Sequence, residues 1–376
     1  MRFRAGKWLR IIGFLGACAL LIYIFRDTDP GEIWASLMGL DVIYLIPVIV
    51  GLLGMPISRA VRLKYMMEPK RELSVGRVFA VYNVGQLLNI MLPALTGQVG
   101  RVILFSRTLA ITKTFAFTTV ILEILFDGVV LVMMIFAASF LVVMPDWMVR
   151  GEVLMMVACL LLLGFFYLAL HRHRMSDRRP SWLRRRLPLR VVQEWDNVKT
   201  SFLAGLDMLT SRRHLFLTVL LSVLSWLAHA LIVLFLLRAF AIDIPFWGAI
   251  IILIVNTLAI MVPVSPGNVG TFQLACIVGL GFFGIPKDEA LAFSILLHVV
   301  ELGPVFVLGA CSSFSAHVRL REYTGDEVYA ETDRLTGEDD QPVPETPATD
   351  TPDPEDRAAM RSAVSSVPAN PDRSDL

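Results

Sequence analysis

The sequence is short of charge. Asp, Glu, Lys and Arg make up only 18% of its 376 residues, 56% are hydrophobic, and the mean hydropathy is +0.65. A soluble domain is about a quarter charged and about half apolar, so lipid is the expected main solvent. Soluble nucleotide-binding, hydrolase and nucleic-acid-binding classes are thereby excluded. The four cysteines, Cys18, Cys159, Cys276 and Cys311, stand singly in apolar stretches, with no CxxC pair and no histidine at ligand spacing. They offer neither a disulfide framework nor a metal site. The chain also lacks a Walker loop, an HExxH helix and a GxSxG elbow, which removes an ATP-driven pump and the hydrolases built on those motifs. No cofactor is implied, and no segment outside the membrane is long enough for a catalytic domain. The expectation is a non-enzyme.

What charge there is falls into two opposed halves. From Glu322 onward there are 15 acidic residues against 4 arginines, while the preceding 321 residues carry a net +12. The division expected is a basic membrane domain over residues 1–321 and an acidic Pro/Thr-rich tail over 322–376, too poor in apolar residues to fold. Eight stretches are apolar enough to enter a bilayer: Trp8–Phe25, Asp41–Ser58, Val78–Gly100, Thr114–Met144, Val153–Leu170, Leu215–Leu237, Ile244–Pro286 and Ala290–Val318. A span needs about 20 apolar residues. Ile244–Pro286 is twice that length and holds the breaker cluster Pro263-Val-Ser265-Pro266-Gly267-Asn268-Val-Gly270; Val78–Gly100 is broken by Pro93 and Gly97. Both read as helical hairpins with tips at membrane depth, the second long enough for two full crossings. A hairpin returns to its own side. With the N-terminus in the cytoplasm, 26 basic residues then lie inside and 4 outside, the largest inside segment being residues 171–214. This asymmetry sets the orientation in a cell (inner) membrane, with both termini cytoplasmic.

The two hairpins match each other. Ile90-Met-Leu-Pro-Ala-Leu-Thr-Gly-Gln-Val-Gly100 aligns without a gap on Ile260-Met-Val-Pro-Val-Ser-Pro-Gly-Asn-Val-Gly270, sharing Pro-x3-Gly-x2-Gly. By the charge count the copies enter from opposite sides. The fold expected is all-α: a polytopic bundle of two inverted repeats, each with a broken helical hairpin. Secondary transporters are built this way, with the substrate where the breaks meet, since unpaired backbone in hydrocarbon must be buried in protein or line a cavity.

Several ionisable residues fall inside the spans, where they are costly and are functional candidates by default. Glu123 and Asp127 lie four apart on one helix, His298 and Glu301 three apart on another, and His229 sits mid-span. Arg101 and Arg107 follow the first hairpin, and Asn89, Asn256, Ser265, Asn268 and Gln273 surround the breaks. A cavity of these groups would offer Arg101 to an anion, with Glu123 and Asp127 as resting counter-ions, and the guanidinium fork suits a phosphate. The same groups also fit a buried ion pair that only locks helices together. His298 with Glu301 fits a proton relay or an interhelical hydrogen bond.

The run Asn89-x3-Pro93-x3-Gly97-x3-Arg101, then Glu123-Ile-Leu-Phe-Asp127, then Pro263-x-Ser265-Pro266-Gly267-Asn268-x-Gly270-x2-Gln273 and the His298 span resembles the flippase-like family, also called the lysylphosphatidylglycerol synthase transmembrane region family. The likeness covers roughly residues 8–318. It implies a multi-pass membrane protein that moves a lipid between leaflets, either an anionic phospholipid or a polyprenyl-phosphate-linked sugar. It also implies a second reading, a non-transporting partner of a membrane enzyme such as a polyprenyl-phosphate glycosyltransferase. The chain departs from the family's commoner residues at Ile124, Gln273 and His298, and it lacks the aminoacyltransferase domain that some members carry.

Overall fold

The computed structural model describes residues 21–26, 28–68, 73–92, 95–141, 146–175, 189–260 and 266–315. Most of the first apolar stretch, Pro93, Pro263, Ser265 and the acidic tail lie outside the described residues. Those described are all-helical, with no strand: α1 Pro30–Met38, α2 Leu45–Met67, α3 Val75–Met91, α4 Leu95–Leu109, α5 Lys113–Ser139, α6 Asp146–Met175, α7 Leu189–Leu206, α8 Arg212–Ala239, α9 Phe246–Ile260, α10 Thr271–Gly281 and α11 Lys287–Ser315. Short 3₁₀ turns precede α2, α8 and α10. Side chains set the helix starts. Asp29 accepts from Gly31 ahead of Pro30, Ser74 from Arg77, and Thr112 from Phe115, each satisfying an amide that the first turn leaves open.

Five stretches are long and apolar enough to cross a bilayer: Val42–Met67, Lys113–Ser139, Val149–Ala169, Arg212–Ala239 and Lys287–Ser315. The protein is a multi-pass membrane protein. On α2, Ile46, Ile49, Val50, Leu53 and Ile57 are exposed, an apolar stripe at helical spacing that suits acyl chains.

The element order span, hairpin, span occurs twice, as α2, α3–α4, α5 and again as α8, α9–α10, α11. The pairings repeat as well: α2 packs on α3 as α8 does on α9, α4 on α5 as α10 does on α11, and α3 on α11 as α9 does on α5. The longest seam joins the two leading spans, α2 along α8.

Four expectations are corrected. The second apolar stretch does not end at Ser58: α2 runs unbroken to Met67, so Arg59, Arg62 and Lys64 are helical residues rather than the start of a loop. Gly97 does not break the first hairpin. The chain leaves α3 at Leu92, which is extended, and Gly97 lies within α4. Its role is close packing, since a Cβ there would lie 2.8 Å from Asn89 Cα on the facing leg. The second hairpin does not make two crossings. Its legs of 15 and 11 residues rise only about 22 and 16 Å, against about 30 Å of hydrocarbon. Finally, residues 171–214 are more than a loop, because they include the end of α6 and all of α7, which packs on α5.

Candidate functional site

Of the two breaks, the described residues show the second in detail. In the second, Gly267, Asn268 and Gly270 have φ of 64°, 57° and 91°, the left-handed region that glycine enters freely and asparagine tolerates. Three hydrogen bonds then close a ring across the turn. Gly270 N–H donates to Gln273 Oε1 at 2.7 Å, Gln273 Nε2 donates to His298 Nδ1 at 3.0 Å, and His298 Nε2 donates to the Gly267 carbonyl at 2.9 Å. This ring requires a neutral His298 protonated on Nε2. Phe272 stacks on the imidazole, with centroids 4.2 Å apart and planes at 6°. The turn packs against α3, one leg of the first hairpin, so the second tip reaches the first hairpin.

The intramembrane charges gather where α2, α4, α5 and α8 meet. From α2, Arg62 is fully buried and forks onto both Asp127 oxygens, its Nη2 lying 3.1 Å from Oδ2 and its Nη1 bonding Oδ1. The same guanidinium reaches Glu123 Oε1 at 3.3 Å and Ser222 Oγ of α8 at 2.9 Å. Arg101, on α4, bonds Glu123 Oε2 at 2.7 Å and Gln98 Oε1 at 3.1 Å, and its stem passes Gly85, where a Cβ would lie 3.3 Å from Arg101 Cγ. Trp226 Nε1 donates to Asp127 Oδ1 at 3.0 Å, and the Arg59 guanidinium carbon lies 5.6 Å from the Trp226 ring centroid, in cation–π range. Among the described residues no carboxylate forms an ion pair with Arg59, and its buried Nε has no hydrogen-bond partner.

Arg101 and Glu123 therefore meet as the sequence predicts, but Asp127 belongs to Arg62, a residue not singled out there. His298 and Glu301 do not pair either. His298 turns to the break, while Glu301 Oε1 lies 2.9 Å from His229 Nε2 on α8. Helical spacing puts His298 and Glu301 on one face but does not say which neighbour each meets. The overlooked residues are Arg59, Arg62 and Trp226. The signal that could reveal the two arginines is the lack of any helix breaker between Pro56 and Pro69.

Buried polar atoms without partners among the described residues include Nε of Arg59, Arg62 and Arg101, Nδ1 of His229, and Oδ1 of Asn256 and Asn268. They lie on the spans and hairpin elements of both repeats. An arginine–carboxylate lattice of this kind can neutralise and orient an anionic group by charge-assisted hydrogen bonds.

No curated protein matches the chain. The family description "Lysylphosphatidylglycerol synthase TM region" fits residues 10–309, which takes in every side chain of the site. Its span of described, all-helical, membrane-crossing structure agrees with that match, and the chain belongs to the lysylphosphatidylglycerol synthase transmembrane region family.

Proposed function

We propose that the protein moves a phosphate-bearing lipid, either an anionic phospholipid or a polyprenyl-phosphate-linked sugar, between membrane leaflets. The observation that supports this reading most is the charge balance of the lattice. Arg59, Arg62 and Arg101 gather about Glu123 and Asp127, so that three guanidinium groups share two carboxylates. A buried guanidinium without a carboxylate of its own is costly in a membrane, and a phosphate oxygen is an acceptor that suits it. Arg59 is the arginine of the three with no ion-paired carboxylate among the described residues, and its planar fork matches phosphate oxygens. In this reading the repeats are inverted, and the two breaks line the path of the head group.

The test is transfer by purified full-length protein in phosphatidylcholine vesicles. Trace fluorescent phosphatidylglycerol, a fluorescent polyprenyl phosphate and a phosphate-free glycolipid serve as probes. At least one phosphate-bearing probe is expected to cross tenfold faster than in protein-free vesicles, and the glycolipid no faster. Equal rates with and without protein for every probe would end the reading.

The orientation proposed with it places the N-terminus, residues 171–214 and the tail in the cytoplasm. Arg59, Arg62 and Arg101 leave the basic count because they belong to the lattice, and the inside total falls from 26 to 23, still against 4. Cysteines introduced at Ser181 and Thr346 are expected to resist an impermeant thiol reagent applied to intact cells. Labelling of either from outside would reverse the topology.

A further inference from the structure

His229 lies in the middle of α8, and its ring is held on one side only. Nε2 faces Glu301 Oε1 at 2.9 Å, with both side chains largely buried. Nδ1 is buried and has no partner among the described residues. An ionised Glu301 can only accept, so Nε2 carries the hydrogen of a neutral ring and the lone pair of Nδ1 is left open. A proton arriving at this pair therefore binds Nδ1, giving an imidazolium that keeps its bond to Glu301.

The pair is wired to the arginine lattice through one side chain. Trp226 stacks on His229, with centroids 5.8 Å apart and planes at 25°, and the same indole donates to Asp127 and carries Arg59 over its face. The charged and titratable groups around His229 can be taken element by element. Arg59 comes from α2, Asp127 from α5 and Glu301 from α11, while Cys276 of α10 lies near Glu301. Helix α9 has no ionisable residue. Tyr44 and Asp207 belong to the turns at the two ends of α8, beside Ala239 and Ser211, and not to its middle.

Extending the charge count to this pair changes the sum. With His229 neutral and Glu301 counted beside Glu123 and Asp127, three arginines are matched by three carboxylates. With His229 protonated the lattice carries one net positive charge. We propose that His229 and Glu301 form a proton-binding site whose loading gives the lattice the positive charge that admits a phosphate anion, so that proton and lipid phosphate are bound and released together. This rests on the lipid-translocation reading for its ligand but not for its proton.

Two measurements on the full-length protein separate the two claims. The first is transfer of fluorescent phosphatidylglycerol, a phosphodiester that keeps one charge across the range used, in vesicles at pH 6 and pH 8. Transfer is expected to be about tenfold faster at pH 6. In His229→Gln, which keeps an N–H toward Glu301 but cannot ionise, it is expected to stay at the slow rate at both values. The second is proton uptake in weakly buffered detergent at pH 7.5, followed with a pH dye as short-chain phosphatidylglycerol is added. Close to one proton per bound lipid is expected for the wild type and none for His229→Gln. Proton uptake without transfer at any pH would remove the translocation reading and leave the proton site standing. Transfer with the same pH dependence in both proteins, or lipid binding by the wild type without proton uptake, would overturn the site. The wild-type uptake measurement decides the matter even where the variant does not fold.

Discussion

Arg62→Ala is expected to be the most destabilising single substitution in the protein, costing about 3–5 kcal/mol, the range seen when one partner of a buried ion pair is removed. Asp127 would keep only the Trp226 indole as a hydrogen-bond donor, Glu123 would keep only Arg101, and Ser222 would lose its donor. Single interhelical hydrogen bonds in membranes average about 0.6 kcal/mol, too little to hold an unpaired carboxylate in the bundle. The expected result is a sharp fall in folded yield and in thermal midpoint by fluorescence-detected size exclusion. Adding Asp127→Asn should recover most of both, since it removes the stranded charge. Arg62→Lys should recover less, because one ammonium cannot fork onto Asp127 while also reaching Glu123 and Ser222. A normal thermal midpoint for Arg62→Ala would show that the lattice is open to water and not a structural core.

Arg101→Ala is expected to act on function more than on folding. Glu123 keeps Arg62 at 3.3 Å when Arg101 is gone, so no carboxylate is left alone. The lattice nevertheless loses one positive charge and the cation nearest the first hairpin. Lipid-phosphate transfer should fall at least tenfold while the protein still inserts and folds. Arg101→Lys should restore part of it, having the charge but not the fork. The double variant Arg101→Ala with Glu123→Gln restores the net charge without the guanidinium. Recovery of transfer in that double variant would assign the effect to charge balance, and continued loss would assign it to the fork. Normal transfer by a well-folded Arg101→Ala protein would exclude Arg101 from the phosphate path.

How much of this was legible in the sequence depends on what each residue's neighbours could reveal. Glu123 and Asp127 stand out because carboxylates in a 27-residue apolar helix have no ordinary explanation. Arg59 and Arg62 do not, although they carry as much of the site. They follow an apolar stretch, and a basic residue at the end of a span is absorbed by the orientation rule as a cytoplasmic flank. Only the continuity of α2 to Met67 turns them inward. The repeat shows a similar mixture. Its Pro and Gly spacing marks both hairpins, yet the first glycine of the motif has unlike roles in the two copies. Gly97 sits in a helix against Asn89, whereas Gly267 occupies a left-handed turn. A one-dimensional match cannot separate a glycine needed for its φ from one needed for its missing side chain. The partner exchange between His298 and Glu301 was illegible for a further reason. It depends on the rotation of α11 against α8 and the second hairpin, which no spacing within α11 specifies.

The seam between α2 and α8 has a mechanical consequence. It is bolted at mid-height by Ser58 to Ser225 at 2.5 Å and by Arg62 to Ser222, and it is closed at Gly51, where a Cβ would lie 2.7 Å from Ile232 Cγ1. Sliding one half past the other by a helical turn, about 5.4 Å, would shear both polar bolts and drive Ile232 out of its notch. The turn between α9 and α10 is closed differently, by a ring of three hydrogen bonds centred on Gln273 and His298. Sliding of α2 along α8 is therefore the costly motion in this molecule, and the two spans form a stationary axle between the halves.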